Sequence, residues 1–165
     1  MSKAFTDEEA KDTGVLGRPA TVAARGQERP ITPEGHRALT ESFERLSTVE
    51  RARVAAIPHD AAREVERAQL EHRLALVAAT LSSVRVVEPV PADGEVRFGS
   101  RVSLTWDDGR TQVLRLVGPD EADSKAGLVS IDAPLARALL GLRQGDTVEV
   151  ERPRGLASAT LVKVE

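Results

Sequence analysis

The feature that most constrains the fold is a pair of apolar runs with helical spacing that meet at a proline. In the second run the apolar residues step by four, three, four and three, at Leu70, Leu74, Val77, Leu81 and Val84. A step that averages about 3.5 residues is typical of a coiled coil. The first run comprises Leu39, Phe43, Leu46, Val54 and Ile57. Because the link from Pro58 to Asp60 is short, the two runs predict an antiparallel α-helical coiled-coil hairpin with arms of ~37 Å.

The first helix has a recognisable beginning at Thr32. The sequence Thr-Pro-Glu supplies a side-chain oxygen for the N-cap, a proline for the first helical position and an acid for the first turn. We predict that this helix runs to Pro58. Residues 1–30 instead mix charges with small residues and lack apolar periodicity, which predicts a flexible N-terminal tail. The candidate anchors of this tail are Phe5, Val15 and Leu16.

Beyond Val86 the apolar period falls to two, which indicates β structure. Residues 101–106 alternate in polarity, an Asp-Asp-Gly turn follows, and residues 112–117 form the predicted returning strand. Further strands are predicted at 128–131, 147–151 and 159–164, with a short helix at 134–140 and a basic turn at 152–155. We therefore predict an α+β fold in which the hairpin, residues 31–87, precedes a mainly antiparallel β domain, residues 88–165.

Composition excludes several classes of function. The chain has no cysteine, so a disulfide framework, thiolate zinc sites and cysteine nucleophiles are ruled out. A net charge of -3 gives no global basic field for binding a nucleic acid duplex. His36, His59 and His72 all lie in or beside the predicted helices, and their spacing matches no metal motif, so we expect no enzymatic site in the β domain. With no apolar run near 18 residues, we expect a cytoplasmic protein that does not contact a membrane. We also expect a monomer.

One stretch of the β domain has a distinctive order of residues. Gly118 precedes an acidic run, a hydrophobic strand at 128–131, a turn with Pro134 and a short helix that ends in Leu140-Gly141. The flanking pairs Phe98-Gly99 and Gly145-Asp146 and the Val-Lys-Val ending complete the pattern. This order resembles the carboxy-terminal domain of the Gre family of bacterial transcript-cleavage and elongation factors. The resemblance covers about residues 31–165 and is most specific over 94–150.

The resemblance implies a fold, a partner and a set of contact residues. Gre proteins have an FKBP-like globular domain that grips RNA polymerase at the rim of its secondary channel, and a coiled coil that enters the channel. By position, the implied polymerase-binding residues are Asp120, Glu121, Ala122, Asp123, Ser130 and Pro134. A solvated polar loop is the alternative interpretation of the acidic run. The resemblance implies no cofactor of the chain's own, because the catalytic magnesium belongs to the polymerase.

The end of the hairpin departs from the family pattern. Gre tips that support cleavage carry a motif resembling Gly-Asp-Leu-x-Glu-Asn-x-Glu-Tyr, and this string is absent here. The candidate tip acids are Asp60, Glu64 and Glu66. Asp60 and Glu64 are spaced to share a helix face and bind a metal, but Asp60 is also placed to cap the second helix, which is the preferred interpretation. The hairpin is also shorter than usual by about a dozen residues, which would withdraw the tip by ~10 Å.

The leading hypothesis from sequence is a Gre-like factor that binds bacterial RNA polymerase and modulates elongation or initiation, with little transcript cleavage. It is not itself an enzyme, and its arginine-rich arms could touch nascent RNA or DNA within the complex. The alternatives are a cleavage-stimulating factor that uses the tip acids, a coiled-coil adaptor for another protein, and a prolyl isomerase. The last needs an aromatic-lined pocket, for which the domain offers only Phe98 and Trp106.

Overall fold

A computed structural model of the chain describes residues 28–90, 93–152 and 155–165. The predicted tail anchors Phe5, Val15 and Leu16, and the central part of the predicted basic turn, lie outside these residues. The elements before residue 90 are β1 (Arg29–Ile31), α1 (Pro33–Arg45), a π-helical turn (Leu46–Glu50), α2 (Arg51–Ala55), α3 (Asp60–Ser83) and β2 (Val84–Val86). We call residues 29–86 the arm.

The beginning of the first helix is as predicted, and its end is earlier than predicted. Thr32 is the N-cap, with its hydroxyl accepting a hydrogen bond from the Gly35 N–H at 3.0 Å, and a proline occupies the first turn. The helix ends at Ala55, before Pro58, because the residue ahead of a proline is sterically pushed out of the helical conformation. Val84, predicted as the last position of the α3 repeat, lies in β2 instead.

The π-helical turn explains an irregularity in the first apolar run. Its backbone inserts an extra residue into the helical turn, so the apolar period between Leu46 and Val54 is interrupted. The hydroxyls of Ser47 and Thr48 donate to the carbonyl oxygens of residues 43 and 44, both at 2.8 Å. Such side-chain bonds to the preceding turn are known to distort helices.

The helices of the arm pack against one another through their apolar faces. Leu46, Val54, Leu70 and Leu74 form a buried cluster, and Phe43, Ile57 and Val77 pack around it. We call α1, the π-helical turn and α2 together the first helical segment. This segment and α3 are joined by a short link and lie side by side, so they run in opposite directions. The supercoiling that the 3.5-residue repeat predicts for these helices stays a prediction.

A short parallel pair of strands closes the base of the arm, and the sequence did not predict it. Arg29 pairs with Val84 and Ile31 with Val86, and the Val87 N–H donates to the Ile31 carbonyl oxygen at 2.9 Å. The Arg29 guanidinium also donates to the Ser83 hydroxyl at 2.9 Å. The two ends of the arm are therefore tied together at its base.

The remaining described residues form an α+β unit, which we call the body (residues 93–165). Its elements are β3 (Arg101–Trp106), β4 (Thr111–Val117), a 3₁₀ turn (Pro119–Glu121), β5 (Leu128–Ser130), α4 (Pro134–Leu139), β6 (Thr147–Arg152) and β7 (Gly155–Val164). Within the described part, five strands form one sheet in the order β5-β4-β3-β7-β6. The predicted β3–β4 hairpin is confirmed, and only the β4–β5 pair among these strands is parallel.

The core of the body lies between one face of this sheet and α4. Val102, Leu104 and Trp106 of β3 point into it, as their alternation predicted, and Ala136 and Leu139 of α4 cover them. The FKBP-like character implied by the resemblance stays a prediction.

Candidate functional site

The tip of the arm carries exposed carboxylates that are paired with arginines. Asp60 is the first residue of α3, its side chain is 90% exposed, and it forms an ion pair with Arg63. One turn later Glu64 pairs with Arg67 at 2.9 Å. Arg63 also donates to the Ile57 carbonyl oxygen at 2.8 Å, which ties α3 to the end of the first helical segment.

Asp60 is not the N-cap of α3, which corrects the sequence prediction. His59 occupies the N-cap position with an extended backbone, and no side chain bonds the free N–H groups of the first turn there. The Asp60 carboxylate is occupied by Arg63 instead, one turn further along the helix. Glu66, the third predicted tip acid, lies partly buried on α3 and has no ion pair with another described residue.

The tip fits a magnesium site poorly on its own. Carboxylate oxygens are the ligands that Mg²⁺ prefers, but the guanidinium groups of Arg63 and Arg67 already compensate the charge of Asp60 and Glu64. Across residues 28–90, 93–152 and 155–165, no group of three or more His, Asp or Glu side chains is arranged to hold a metal ion. A metal at the tip would therefore need further ligands from a partner.

The acidic run after β4 faces the base of the arm. The Asp120 Oδ2 lies 2.8 Å from the Arg29 Nε, and both atoms are shielded from solvent. The Glu121 carboxylate accepts hydrogen bonds from the Thr32 N–H at 2.9 Å, from the Thr32 hydroxyl and from the Gly118 N–H at 3.1 Å. We call these five residues, Arg29, Thr32, Gly118, Asp120 and Glu121, the junction.

Two glycines allow the junction to close. A Cβ on Gly118 would overlap the carbonyl oxygen of Pro30, and a Cβ on Gly35 would overlap the Glu121 carboxylate. Gly35 lies in the first turn of α1, where glycine is otherwise unfavourable for helix stability. A glycine at this helical position is the sequence signal of the close contact between α1 and Glu121, which the sequence patterns did not predict.

A further ion pair joins the arm to the sheet. Arg115 of β4 contacts Glu34 of α1 at 3.3 Å and donates to the Gly99 carbonyl oxygen at 3.2 Å. A hydrogen bond from its own backbone N–H, followed by the nearby Arg115 charge, lowers the pKa of the Glu34 carboxyl below its ordinary value.

An open groove of about 440 Å³ lies nearer the tip, and Arg51, Arg63 and Arg67 line it with Glu64 and Glu71. Arg51 spans this groove to Glu71 at 3.1 Å.

The residues predicted to bind polymerase therefore fall into two groups. Asp120 and Glu121 have their carboxylates taken up by the arm. Ala122, Asp123 and Pro134 are exposed, and Ser130 is partly buried. Asp123 accepts from the Lys125 N–H at 2.9 Å, and the Ser130 hydroxyl accepts from the Asp132 N–H at 3.2 Å, so both hold local turns. For all six residues, contact with a polymerase stays a prediction.

Comparisons with known proteins agree on one family. The profile of the family described as "Transcription elongation factor, GreA/GreB, C-term" matches residues 91–165. Transcription elongation factor GreA of Alkalilimnicola ehrlichii is 38% identical over 152 residues, covering 82% of this chain and 96% of that protein. The GreA of Psychrobacter cryohalolentis is 34% identical over 155 residues, covering 84% of this chain and 98% of that protein.

Two solved structures are also similar to this chain. The GreA factor homolog 1 (Gfh1) of Thermus thermophilus matches with 24% identity and a TM-score of 0.40, over 84% of this chain and 99% of that one. The GreA/GreB elongation factor of Nitrosomonas europaea matches with 25% identity and a TM-score of 0.41, over 83% and 97%. In the part of the chain that the structure describes, no helix is long and apolar enough to cross a membrane.

Proposed function

This chain belongs to the GreA/GreB family of transcription elongation factors, and from that premise we propose that it binds bacterial RNA polymerase at the rim of the secondary channel. In this proposal the body makes the contact and the arm, as an antiparallel coiled coil, enters the channel. The protein then modulates elongation or initiation and stimulates little transcript cleavage. The body has the FKBP-like fold of the Gre carboxy-terminal domain.

The arm has the dimensions of such a probe. The 24 residues of α3 extend ~36 Å at a rise of about 1.5 Å per residue. Two helices packed side by side are about 20 Å wide, narrow enough for a channel and stiff enough to carry a side chain to its end. The junction ties the base of this rod to the body, so a polymerase that holds the body also orients the arm.

The single observation that supports weak cleavage is the pairing of the tip acids. Besides the polymerase's own catalytic magnesium, two-metal cleavage needs a second ion. A second magnesium brought to Asp60 and Glu64 would also meet the guanidinium groups of Arg63 and Arg67. Exposed ion pairs are worth at most about 1 kcal/mol, so breaking one lowers metal occupancy by up to about fivefold. The repulsion of the ion by two nearby cations adds to that cost. Cleavage by two metals depends on positioning within about 1 Å, which such a tip supports poorly.

We expect the wild-type chain to release few short 3′ fragments from stalled elongation complexes beyond those that polymerase releases alone. The chain should nevertheless change elongation rate or compete with a cleavage-competent Gre factor in the same assay. The Asp60→Ala, Glu64→Ala double variant should leave this competition intact, because the body supplies the binding. Strong cleavage that the double variant loses would contradict the proposal.

The alternative, a cleavage-stimulating factor, is favoured by one observation, the 90% exposure of the Asp60 side chain. The wild-type assay above decides between the two functions, and Arg67→Gln tests whether arginine pairing is what limits cleavage, because this change frees Glu64 while leaving the Arg63 contact to Ile57 in place. If arginine pairing limits cleavage, the variant should raise cleavage by up to about fivefold. Arg53→Gln, which breaks an exposed Arg–Glu pair away from the tip acids, is the matched control and should have no effect.

Among the exposed residues predicted to contact polymerase, Pro134 is the one whose substitution should affect folding least. It occupies the first turn of α4, where an acid is also well tolerated. We expect Pro134→Glu to weaken polymerase binding by about tenfold, as for one buried interface residue, without lowering the unfolding midpoint. Gln144→Glu, an exposed change on a nearby loop, is the control. Equal binding of both variants, measured by co-elution with polymerase, would exclude this contact.

A further inference from the structure

The face of α3 that points away from the first helix exposes two large apolar side chains. Val65 and Leu76 are 58% and 55% exposed. At about 100° per residue, positions 65 and 76 lie only about 20° apart around the helix, on one face. Leu70 and Leu74, which pack against the first helical segment, lie about 140° to 180° away from Val65. We call the uncovered side, which also includes Ala68, Gln69 and His72, the outer face of α3.

Two charges beside the outer face have no partner in the arm. Glu66 and Arg73 both lie on the same flank, about 90° from Val65 by helical geometry. Neither forms an ion pair with any residue in the described ranges, although the neighbouring Arg63 and Arg67 both do. Glu66 and Arg73 are separated by about 10 Å along the axis, so they cannot pair with each other within one helix.

We propose that the outer face of α3 binds the outer face of a second copy of this chain in antiparallel orientation. With the two-fold axis near residues 70 and 71, Val65 of each copy lies opposite Leu76 of the other. In an antiparallel pair of helices related by two-fold symmetry, the same flank of each helix meets across the interface. Glu66 of each copy therefore meets Arg73 of the other, and the contact is made twice.

Packing and charge both support this partner. Ala68 lies between the two large apolar residues, and its small side chain allows the helix backbones to approach closely. Gln69 of each copy lies opposite His72 of the other, and an amide and an imidazole can share a hydrogen bond. Burial of Val65 and Leu76 at both ends of the contact removes the exposed apolar surface of this face. In a parallel pair this flank would meet the opposite flank, whose Glu64 and Glu71 are already paired with Arg67 and Arg51. The unpaired Glu66 and Arg73 meet each other only when the second helix is reversed, which favours the antiparallel pair.

The contact is short, so the dimer should be weak and reversible. Positions 65 to 76 span ~16 Å of helix, and a single helix pair of this length buries less than the ~1,200 Å² of a stable interface. Self-association should therefore appear at micromolar concentrations and above. A dimer would double the width of the arm and keep it out of a narrow channel. Only the exclusion of the dimer from the channel depends on the proposed function.

Sedimentation velocity of the full-length chain tests the interface without polymerase. From about 5 μM to about 500 μM, the average mass should rise from the 17.7 kDa of the monomer towards twice that value. Leu76→Glu should keep the chain monomeric throughout. Leu156→Glu is the matched control, because Leu156 is 73% exposed and belongs to β7 of the body, not to the outer face, so this variant should associate like the wild type.

Charge reversal identifies the pairing itself. Glu66→Arg and Arg73→Glu should each abolish self-association, because every cross-copy pair becomes repulsive. An equal mixture of the two variants should associate again, because each copy then offers the charge that the other lacks. A wild-type chain that stays at the monomer mass at every concentration would overturn the proposal. So would single reversals that associate normally, or a mixture that fails to recover.

Discussion

Glu121→Ala is expected to lower the free energy of unfolding by about 3 kcal/mol. The substitution removes the carboxylate that accepts from the Thr32 N–H, the Thr32 hydroxyl and the Gly118 N–H. Thr32 is only 1% exposed, so its donors cannot turn to water when the acceptor is lost. A buried donor left without a partner costs about 1 to 3 kcal/mol. Denaturant unfolding followed by circular dichroism measures the change.

Two further variants make this test specific. Glu121→Gln keeps one acceptor oxygen and should cost roughly half as much as the alanine variant. Glu149→Ala removes an exposed glutamate of β6 and should change stability by less than about 0.5 kcal/mol. If Glu121→Ala and Glu149→Ala destabilise the protein equally, then Glu121 does not hold the arm to the body.

The same variant distinguishes two roles for Glu121, attachment of the arm and contact with polymerase. If Glu121 acts by holding the arm, the Glu121→Ala variant should change elongation less than the wild-type chain does, while the full-length variant still co-elutes with polymerase through its body. If Glu121 contacts the polymerase directly, co-elution itself should weaken. Asp120 can be tested in the same way, because its partner Arg29 lies in the arm.

Gly118→Ala is expected to destabilise the protein by about 2 to 3 kcal/mol, the usual cost of forcing an extra methyl group into a packed site. The backbone of Gly118 is extended, with φ -68° and ψ 161°, so alanine can adopt its conformation without strain. The cost arises from the carbonyl oxygen of Pro30, which a Cβ would overlap and which is part of the backbone of β1. We therefore expect β1 to be pushed away from the 3₁₀ turn.

Amide hydrogen exchange should locate this damage at the base of the arm. The Thr32 N–H is bonded across the junction to Glu121, and the Val87 N–H is bonded to the Ile31 carbonyl oxygen at the end of the two short strands. Both N–H groups should exchange faster in the variant. Ala122→Val adds two methyl groups to an exposed residue four positions later and serves as the control, with little change expected. Unchanged exchange at Thr32 and Val87 in Gly118→Ala would contradict the close packing of these elements.

The elements that sequence analysis predicted correctly are those whose signals are local. The apolar repeat of α3, the Thr-Pro-Glu beginning of α1 and the β3–β4 hairpin each depend on residues within a few positions of one another. The predicted tip also lies at the end of the arm. The prediction that Asp60 caps α3 was wrong because two local interactions compete for its carboxylate, and the ion pair with Arg63 takes the place of the helix cap.

The sequence by itself determined the α+β fold, with a helical segment ahead of a mostly antiparallel sheet, and the place of Asp60 and Glu64 at the start of α3, because periodicity and turn residues act over short distances along the chain. Only the tertiary structure decided the parallel pairing of β1 with β2 and the role of the acidic run as the attachment of the arm. Glu121 and Thr32 are 89 positions apart, and the Glu121 side chain can reach Thr32 only after the sheet and the arm have packed together. Asp120 and Glu121, which the local pattern alone would assign to a solvated loop, therefore face the arm.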